Sequence, residues 1–205
     1  MSFGGTGMYA GLAESLPPLV SAAVDAAVDL GFDLCVHPST GRLLQVLAAG
    51  MPPDGLVGET GTGTGAGLAW MVSMANPSVQ FISVEIDSVR ATAASQVFQA
   101  YDNVTIINAD AGELFTKGPF DLLVFDGGWG SGKGPGERVD VGSVLKANGT
   151  MTVDDYTPMQ SWPPTFRGEP DVSRHHWLTH PGLLATEVQV APDMAVLVAR
   201  YIPGL

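Results

Sequence analysis

The chain has 205 residues, with 21 Asp plus Glu against nine Lys plus Arg and a formal charge of −12. That length suits one α/β domain spanning 1–205 with a full core, and that charge excludes a nucleic-acid phosphate binder or a surface that docks on anionic membranes, both of which need clustered basic residues. Cys35 is the only cysteine, so no intrachain disulfide forms; with no basic leader and no apolar run near the ~20 residues that span a bilayer, the chain reads as soluble and cytoplasmic.

Residues 1–16 are Gly-rich and weakly patterned, which suggests a mobile arm or lid. Pro17-Pro18 then opens a helix, as proline does in a first turn. Its apolar face is Val20, Ala23, Val24, Ala27 and Val28, at helical spacing. Ser39 or Thr40 is the expected cap of a second helix, with Leu43, Leu44, Val46 and Leu47 as its apolar side and Gly50 and Pro52 as its end. These N-terminal helices occupy 1–50, and 51–205 is the expected cofactor-binding core.

From there strands and helices alternate. Strands are expected at 55–58, 81–85, 104–107, 121–126 and 150–155, with helices at 65–75, 88–101, 111–115 and 137–145. Such alternation predicts a parallel sheet covered by helices on both faces. The runs Leu184–Val190 and Met194–Tyr201 flank Ala191-Pro192-Asp193 and read as an antiparallel hairpin. The expected architecture is therefore a Rossmann-like, doubly wound, mostly parallel seven-stranded sheet with a C-terminal antiparallel hairpin.

The strongest local signal is Gly58-Glu59-Thr60-Gly61-Thr62-Gly63-Thr64-Gly65, between the first strand and the following helix. Glycines let the backbone approach a ligand, and the helix N-terminus offers unpaired amides. Glu59 in front points to a ligand with positive charge rather than to a simple phosphate. Acids also end the later strands: Glu85, Asp110, Asp126, and Asp154 with Asp155. Ligands of open α/β sheets sit outside the carboxyl ends of strands, and gathered carboxylates repel unless a cation or hydrogen-bond donors compensate. Glu85, 24 residues after Gly61, stands where an acid grips ribose hydroxyls. Asp110 and Ala111 open a turn suited to an adenine amino group, and Asp126, Asp154 and Asp155 make an oxygen-rich set suited to Mg²⁺ or another divalent cation.

In this order the motifs resemble class I S-adenosylmethionine-dependent methyltransferases, and within them the catechol and caffeoyl-CoA O-methyltransferase-like group. The resemblance is carried by His37–Leu44, Glu59–Gly65, Val84-Glu85-Ile86-Asp87, Asn108–Ala111, Phe120–Asp126 and Leu145–Asp155. It implies S-adenosyl-L-methionine as cofactor and methyl transfer to a hydroxyl of a small, aromatic acceptor. It also implies that Glu59, Gly61, Thr62, Gly63, Gly65 and Val36 hold the methionine part, Glu85 and Ile86 the ribose, and Asp110 and Ala111 the adenine. Asp126 would border the cofactor and, with Asp154 and Asp155, hold a metal that orients the acceptor; a homodimer is common in the group.

Two positions depart from the family pattern. Trp129 stands where the group carries a lysine three residues after the first metal aspartate, and Lys133 lies four residues further on as its substitute base. Asp155 stands where the group has asparagine. His175, His176 and His180 are further candidate bases, although surface or packing roles suit them better. Trp129, Trp162 and Phe166 are candidate walls of an acceptor pocket. Gly61–Ala66 also fits G-x-G-x-x-A, so an NAD(P)-dependent oxidoreductase is the alternative from another class, and a non-catalytic S-adenosylmethionine-binding protein is a third.

Overall fold

A computed structural model describes residues 5–127, 129–133 and 138–205. Residues 1–4 of the expected arm, 128 and 134–136 of the Gly-rich loop, and 137 at the start of an expected helix lie outside them.

Helix α1 (Pro18–Leu30) begins with proline in its first turn and ends at Gly31, whose left-handed backbone (φ 63°) lets its amide reach the carbonyls of Ala27 and Val28. Its buried stripe is Leu19, Val20, Ala23, Val24 and Ala27. Helix α2 (Pro38–Ala49) is capped by neither Ser39 nor Thr40. His37 is the cap, its Nδ1 accepting from the Ser39 amide at 3.1 Å, because Pro38 at the first helical position shifts the cap one residue earlier.

The alternating part follows as β1 (Leu56–Thr60), α3 (Ala66–Val72), β2 (Gln80–Glu85), α4 (Ser88–Val97), β3 (Val104–Asn108), α5 (Gly112–Phe115), β4 (Phe120–Phe125), α6 (Val141–Val144) and β5 (Leu145–Tyr156). A two-residue ribbon, β6 (Thr165–Phe166) with β7 (Glu169–Pro170), precedes α7 (Val172–Thr179) and the closing hairpin of β8 (Leu183–Ala191) and β9 (Met194–Tyr201). The main sheet has seven strands in the order β3-β2-β1-β4-β5-β9-β8. Its first five strands pair in parallel, and β9 pairs antiparallel with β5 and β8. This is the mostly parallel sheet with a terminal hairpin that the sequence predicts.

Both faces of the sheet are buried. On β4, Leu122 and Val124 join one core with α1, α2 and α3, while Leu123 and Phe125 join a second with Leu114 of α5 and Trp177 of α7. A strand covered on both faces reads as a continuous apolar run rather than an alternating one, which is why Phe120–Phe125 stands out in the sequence. Among the described residues no helix is long and apolar enough to cross a membrane.

The described part of the expected arm, residues 5–16, is docked. Thr6 Oγ1 donates to the Phe32 carbonyl at 2.7 Å and accepts from the Cys35 amide at 3.2 Å. The Tyr9 hydroxyl donates to the Val36 carbonyl and accepts from Trp70 Nε1, each at 2.9 Å. These partners lie 26 to 61 residues away in sequence, so local patterning could not reveal them.

Strand register sets the functional edge. Thr60 of β1 lies beside Val84 of β2 and Phe125 of β4, and Phe125 lies beside Val153 of β5. The carboxyl ends of four strands are therefore level, and the strand order reverses between β1 and β4. That is the switch point at which open α/β sheets bind ligands.

Candidate functional site

At this edge β1 turns sharply into α3. The turn is possible only without a side chain at Gly61, which has φ +82°; a Cβ there would sit 2.0 Å from the Asp126 carbonyl oxygen. The loop amides of Gly61 and Thr62 donate to the Val84 carbonyl at 2.9 and 3.2 Å, so β1, β2 and β4 converge under one turn.

Glu59 supports that turn from beneath. It is 1% exposed, and its Oε2 accepts from Ser83 Oγ at 2.6 Å. Ser83 Oγ lies 2.6 Å from Thr62 Oγ1, which links the acid to the loop. Oε1 of Glu59 has no hydrogen-bond partner among the described residues. Burial, helped by the charges of Asp154 and Glu85, pushes this carboxyl up to about 8 against the opposing Ser83 bond. Burial thus favours the neutral carboxyl, and Glu59 lies beneath the cavity rather than on its wall.

That cavity has a volume of about 430 Å³, within the range of small-molecule sites. Of the residues predicted to hold a cofactor, Val36, Gly61, Thr62, Gly63, Glu85, Ile86 and Asp126 line it. Glu85 holds the loop as well: Oε2 accepts from the Gly63 amide at 2.8 Å, and Oε1 accepts from the Asp87 amide and from Arg90 Nη2 at 2.9 and 2.8 Å. A carboxylate has about four lone-pair positions, so these three bonds leave room for a further donor.

Four predicted cofactor residues are not on the cavity wall: Glu59, Gly65, Asp110 and Ala111. Gly65 (φ +96°) closes the turn against the Phe98 ring. Asp110 is exposed and caps its own turn, Oδ1 accepting from the Gly112 amide at 2.9 Å. Trp129 stands beside that turn, within 3.6 Å of the place a Gly112 Cβ would take, and stacks on Phe115 at 5.3 Å. It therefore belongs to the Asp110 side of the edge, away from the second cavity described below.

Asp126, Asp154 and Asp155, the residues expected to hold a metal, all line the cavity. Asp126 and Asp154 are close enough to shift each other's titration. Both carboxyls are pushed up chiefly by burial; Asp155 adds its charge to each, and Asp154 reaches about 7. β5 is irregular between Val153 and Tyr156, and Asp155 takes a left-handed backbone there, φ +56°. A strand irregularity of this kind re-aims side chains. Among the described residues no group of three or more His, Cys, Asp or Glu side chains could hold a metal ion.

Lys133 is exposed as a residue, yet its ammonium turns inward. Nζ donates to the Asp154 carbonyl and sits 4.4 Å from the centre of the Tyr156 ring. Desolvation lowers the ammonium's pKa, while the charges of Asp154, Asp155 and Asp126 oppose that shift. The segment carrying it is clamped by α7: the Ser131 carbonyl accepts from Trp177 Nε1 at 2.7 Å and from Ser173 Oγ at 2.9 Å.

A second cavity, also about 430 Å³, shares Lys133 and Asp155 with the first. Tyr156, Phe166 and Arg174 are on its wall. Arg174 is 1% exposed and bridges Asp171 Oδ2 and Glu187 Oε2 at 3.0 and 2.9 Å, so its charge is already matched. Phe166 is where an acceptor wall was expected; Trp162 instead stacks on exposed His175 at 5.5 Å. His176 contacts Trp177 and His180 edge-on, and His180 Nδ1 accepts from the Gly182 amide at 3.0 Å, consistent with packing. The sequence did not single out Arg90, Phe32, Cys35 or Tyr156 as site residues; only their distant contacts place them here.

No family model matches the chain, and no curated protein matches its sequence. Solved structures match over nearly its whole length. The cofactor-bound protein Rv0187 from MTB is 21% identical with a TM-score of 0.71, covering 98% of this chain and 99% of its own. The O-methyltransferase from Bacillus cereus in complex with SAH is 15% identical with a TM-score of 0.69, covering 96% and 98%. The O-methyltransferase TomG from Streptomyces achromogenes, involved in tomaymycin synthesis and solved with SAM, is 17% identical with a TM-score of 0.68, covering 90% of each chain. At these identities the likeness establishes a shared fold.

Proposed function

We propose that this protein is an S-adenosylmethionine-dependent methyltransferase acting on a hydroxyl of a small acceptor. The observation that carries the reading is the first cavity: a Gly61–Thr64 loop, a ribose-type acid at Glu85 and the acidic corner at Asp126 on one wall, at the switch point of a 3-2-1-4-5-9-8 sheet. The solved neighbours named above as O-methyltransferases, two of them holding SAM or SAH, support it. Gly61, Gly63 and Glu85 fit a nucleoside cofactor, since the loop backbone faces the cavity with no side chain to block it.

When bound, S-adenosylmethionine supplies a methyl group on a sulfonium, which needs only an aligned, deprotonated oxygen to accept it. The second cavity is the acceptor's place in this reading, since it meets the first at Lys133 and Asp155. Tyr156 and Phe166 give that cavity aromatic walls, which suits an aromatic acceptor. Asp154, with its carboxyl near 7, is poised to take the acceptor's proton at neutral pH, as general-base catalysis favours. The Lys133 ammonium beside it holds the resulting oxyanion in place. A divalent ion is not part of this reading, because the Lys133 ammonium already stands at this corner, donating to the Asp154 main-chain carbonyl.

Isothermal titration with S-adenosylhomocysteine and with NAD⁺ tests the cofactor. Micromolar binding of S-adenosylhomocysteine, weakened at least tenfold in Glu85→Ala, is expected. Binding of NAD⁺ with none of S-adenosylhomocysteine would overturn the reading in favour of an oxidoreductase.

A further inference from the structure

We propose that the Lys133 ammonium is the resident cation of the acidic corner formed by Asp126, Asp154 and Asp155, so that the corner works without a divalent metal. The inference rests on the methyl-transfer reading for its purpose, but its physical basis is separate. Converging carboxylates need compensation by a cation or by donors, and here the chain supplies a tethered ammonium, which lines the same cavity as the three acids and donates to the Asp154 main-chain carbonyl.

The ammonium is held from several directions. Tyr156, which is buried, presents its ring face 4.4 Å away, a favourable cation–π distance. The Tyr156 hydroxyl lies 3.1 Å from Ser173 Oγ, and Ser173 Oγ and Trp177 Nε1 both donate to the Ser131 carbonyl two residues before Lys133. The lysine is thus anchored through α7 and β5 together. Arg174 stacks on the same Tyr156 ring at 4.6 Å, but Asp171 and Glu187 neutralise it. Of these two cations, only Lys133 faces the corner.

A divalent ion entering the corner would meet a fixed positive charge beside acids that, among the described residues, do not gather into a set of three able to hold it. The protein therefore excludes Mg²⁺ by occupying its place, and the acidic residues serve to hold the lysine. The ammonium also meets both cavities, where a metal would otherwise orient an acceptor oxygen.

The test uses Mn²⁺ as the probe, read by electron paramagnetic resonance on the full-length protein, with S-adenosylhomocysteine titration as a separate arm. The wild type is expected to leave Mn²⁺ free up to about millimolar concentration. Lys133→Met, which removes the charge and keeps the chain length, is expected to gain Mn²⁺ affinity at least tenfold. Adding Asp126→Asn should remove that gain. Stoichiometric micromolar Mn²⁺ binding by the wild type, or no gain in Lys133→Met, overturns the proposal. If S-adenosylhomocysteine fails to bind the wild type, the methyl-transfer reading falls while the Mn²⁺ arm still decides what occupies the corner. If it binds, methyl transfer is expected to proceed unchanged in EDTA, and loss of turnover in EDTA also counts against the proposal.

Discussion

Glu59→Gln isolates the buried acid under the glycine loop. The wild-type carboxyl rises from an ordinary 4.5 to about 8 in the folded protein, chiefly through burial. The sign follows from linkage. Because the folded pKa is the higher one, the native state binds more protons than the unfolded chain between the two values. The stability from this group is complete below about pH 4.5 and is lost as pH rises through about 8. A separation of that size corresponds to a loss of roughly 5 kcal/mol at the outer limit, at about 1.4 kcal/mol per pH unit. Glutamine keeps a carbonyl oxygen for Ser83 Oγ, which now bonds Oε2 at 2.6 Å, and it carries no charge at any pH. Urea unfolding of both proteins at pH 6 and pH 9 reads the difference. With the two proteins matched where the acid is protonated in both states, the variant should lead by about 2 kcal/mol at pH 6 and by roughly 5 kcal/mol at pH 9. The other acids of the corner titrate in both proteins, so the difference between the two curves belongs mainly to Glu59. Parallel pH profiles would refute the argument and mean that Glu59 is solvated or paired as an anion.

Two further substitutions test the loop and the frame behind it. Gly61→Ala combines a left-handed backbone with a contact of 2.0 Å to the Asp126 carbonyl; strain and overpacking together should cost about 3 kcal/mol, and calorimetry should show S-adenosylhomocysteine binding weakened well beyond tenfold. Arg174→Met leaves Asp171 and Glu187 without their cation and should cost about 3 kcal/mol in urea unfolding at pH 7.

The sheet was legible because parallel strands buried on both faces leave continuous apolar runs, as in Phe120–Phe125, and because each run here ends in an acid or a glycine turn. The hairpin was legible from Ala191-Pro192-Asp193 between two β-rich runs. What escaped depends on contacts between distant residues. Tyr9 looks like part of a loose arm until its hydroxyl is seen between Val36 and Trp70. Pro38 moves the α2 cap to His37, a residue with no strong capping preference. Trp129 appeared to be an acceptor wall because its neighbours in sequence are glycines, whereas its ring stacks on Phe115. The setting of the three acids at two strand ends was hidden in the same way, since an irregularity in β5 with a left-handed Asp155 decides what they meet.

The acids of the carboxyl edge are compensated by different means, and that difference assigns their work. Glu85 is held by backbone amides and Arg90, which leaves it room for one more donor, the place of a ribose hydroxyl in the proposed reaction. Glu59 is neutralised by burial and so holds the loop without adding charge under the cofactor. Asp126 and Asp154 are both pushed up chiefly by burial, and Asp154 keeps a carboxyl poised near neutrality beside a fixed ammonium. The proposed transfer from a sulfonium to a hydroxyl would use this division: an acid at the ribose, a fixed ammonium at the junction, and one group able to change protonation during turnover. Exchanging these means between positions should separate binding from chemistry, with changes at Glu85 acting on cofactor affinity and changes at Asp154 or Lys133 acting on the methyl-transfer step.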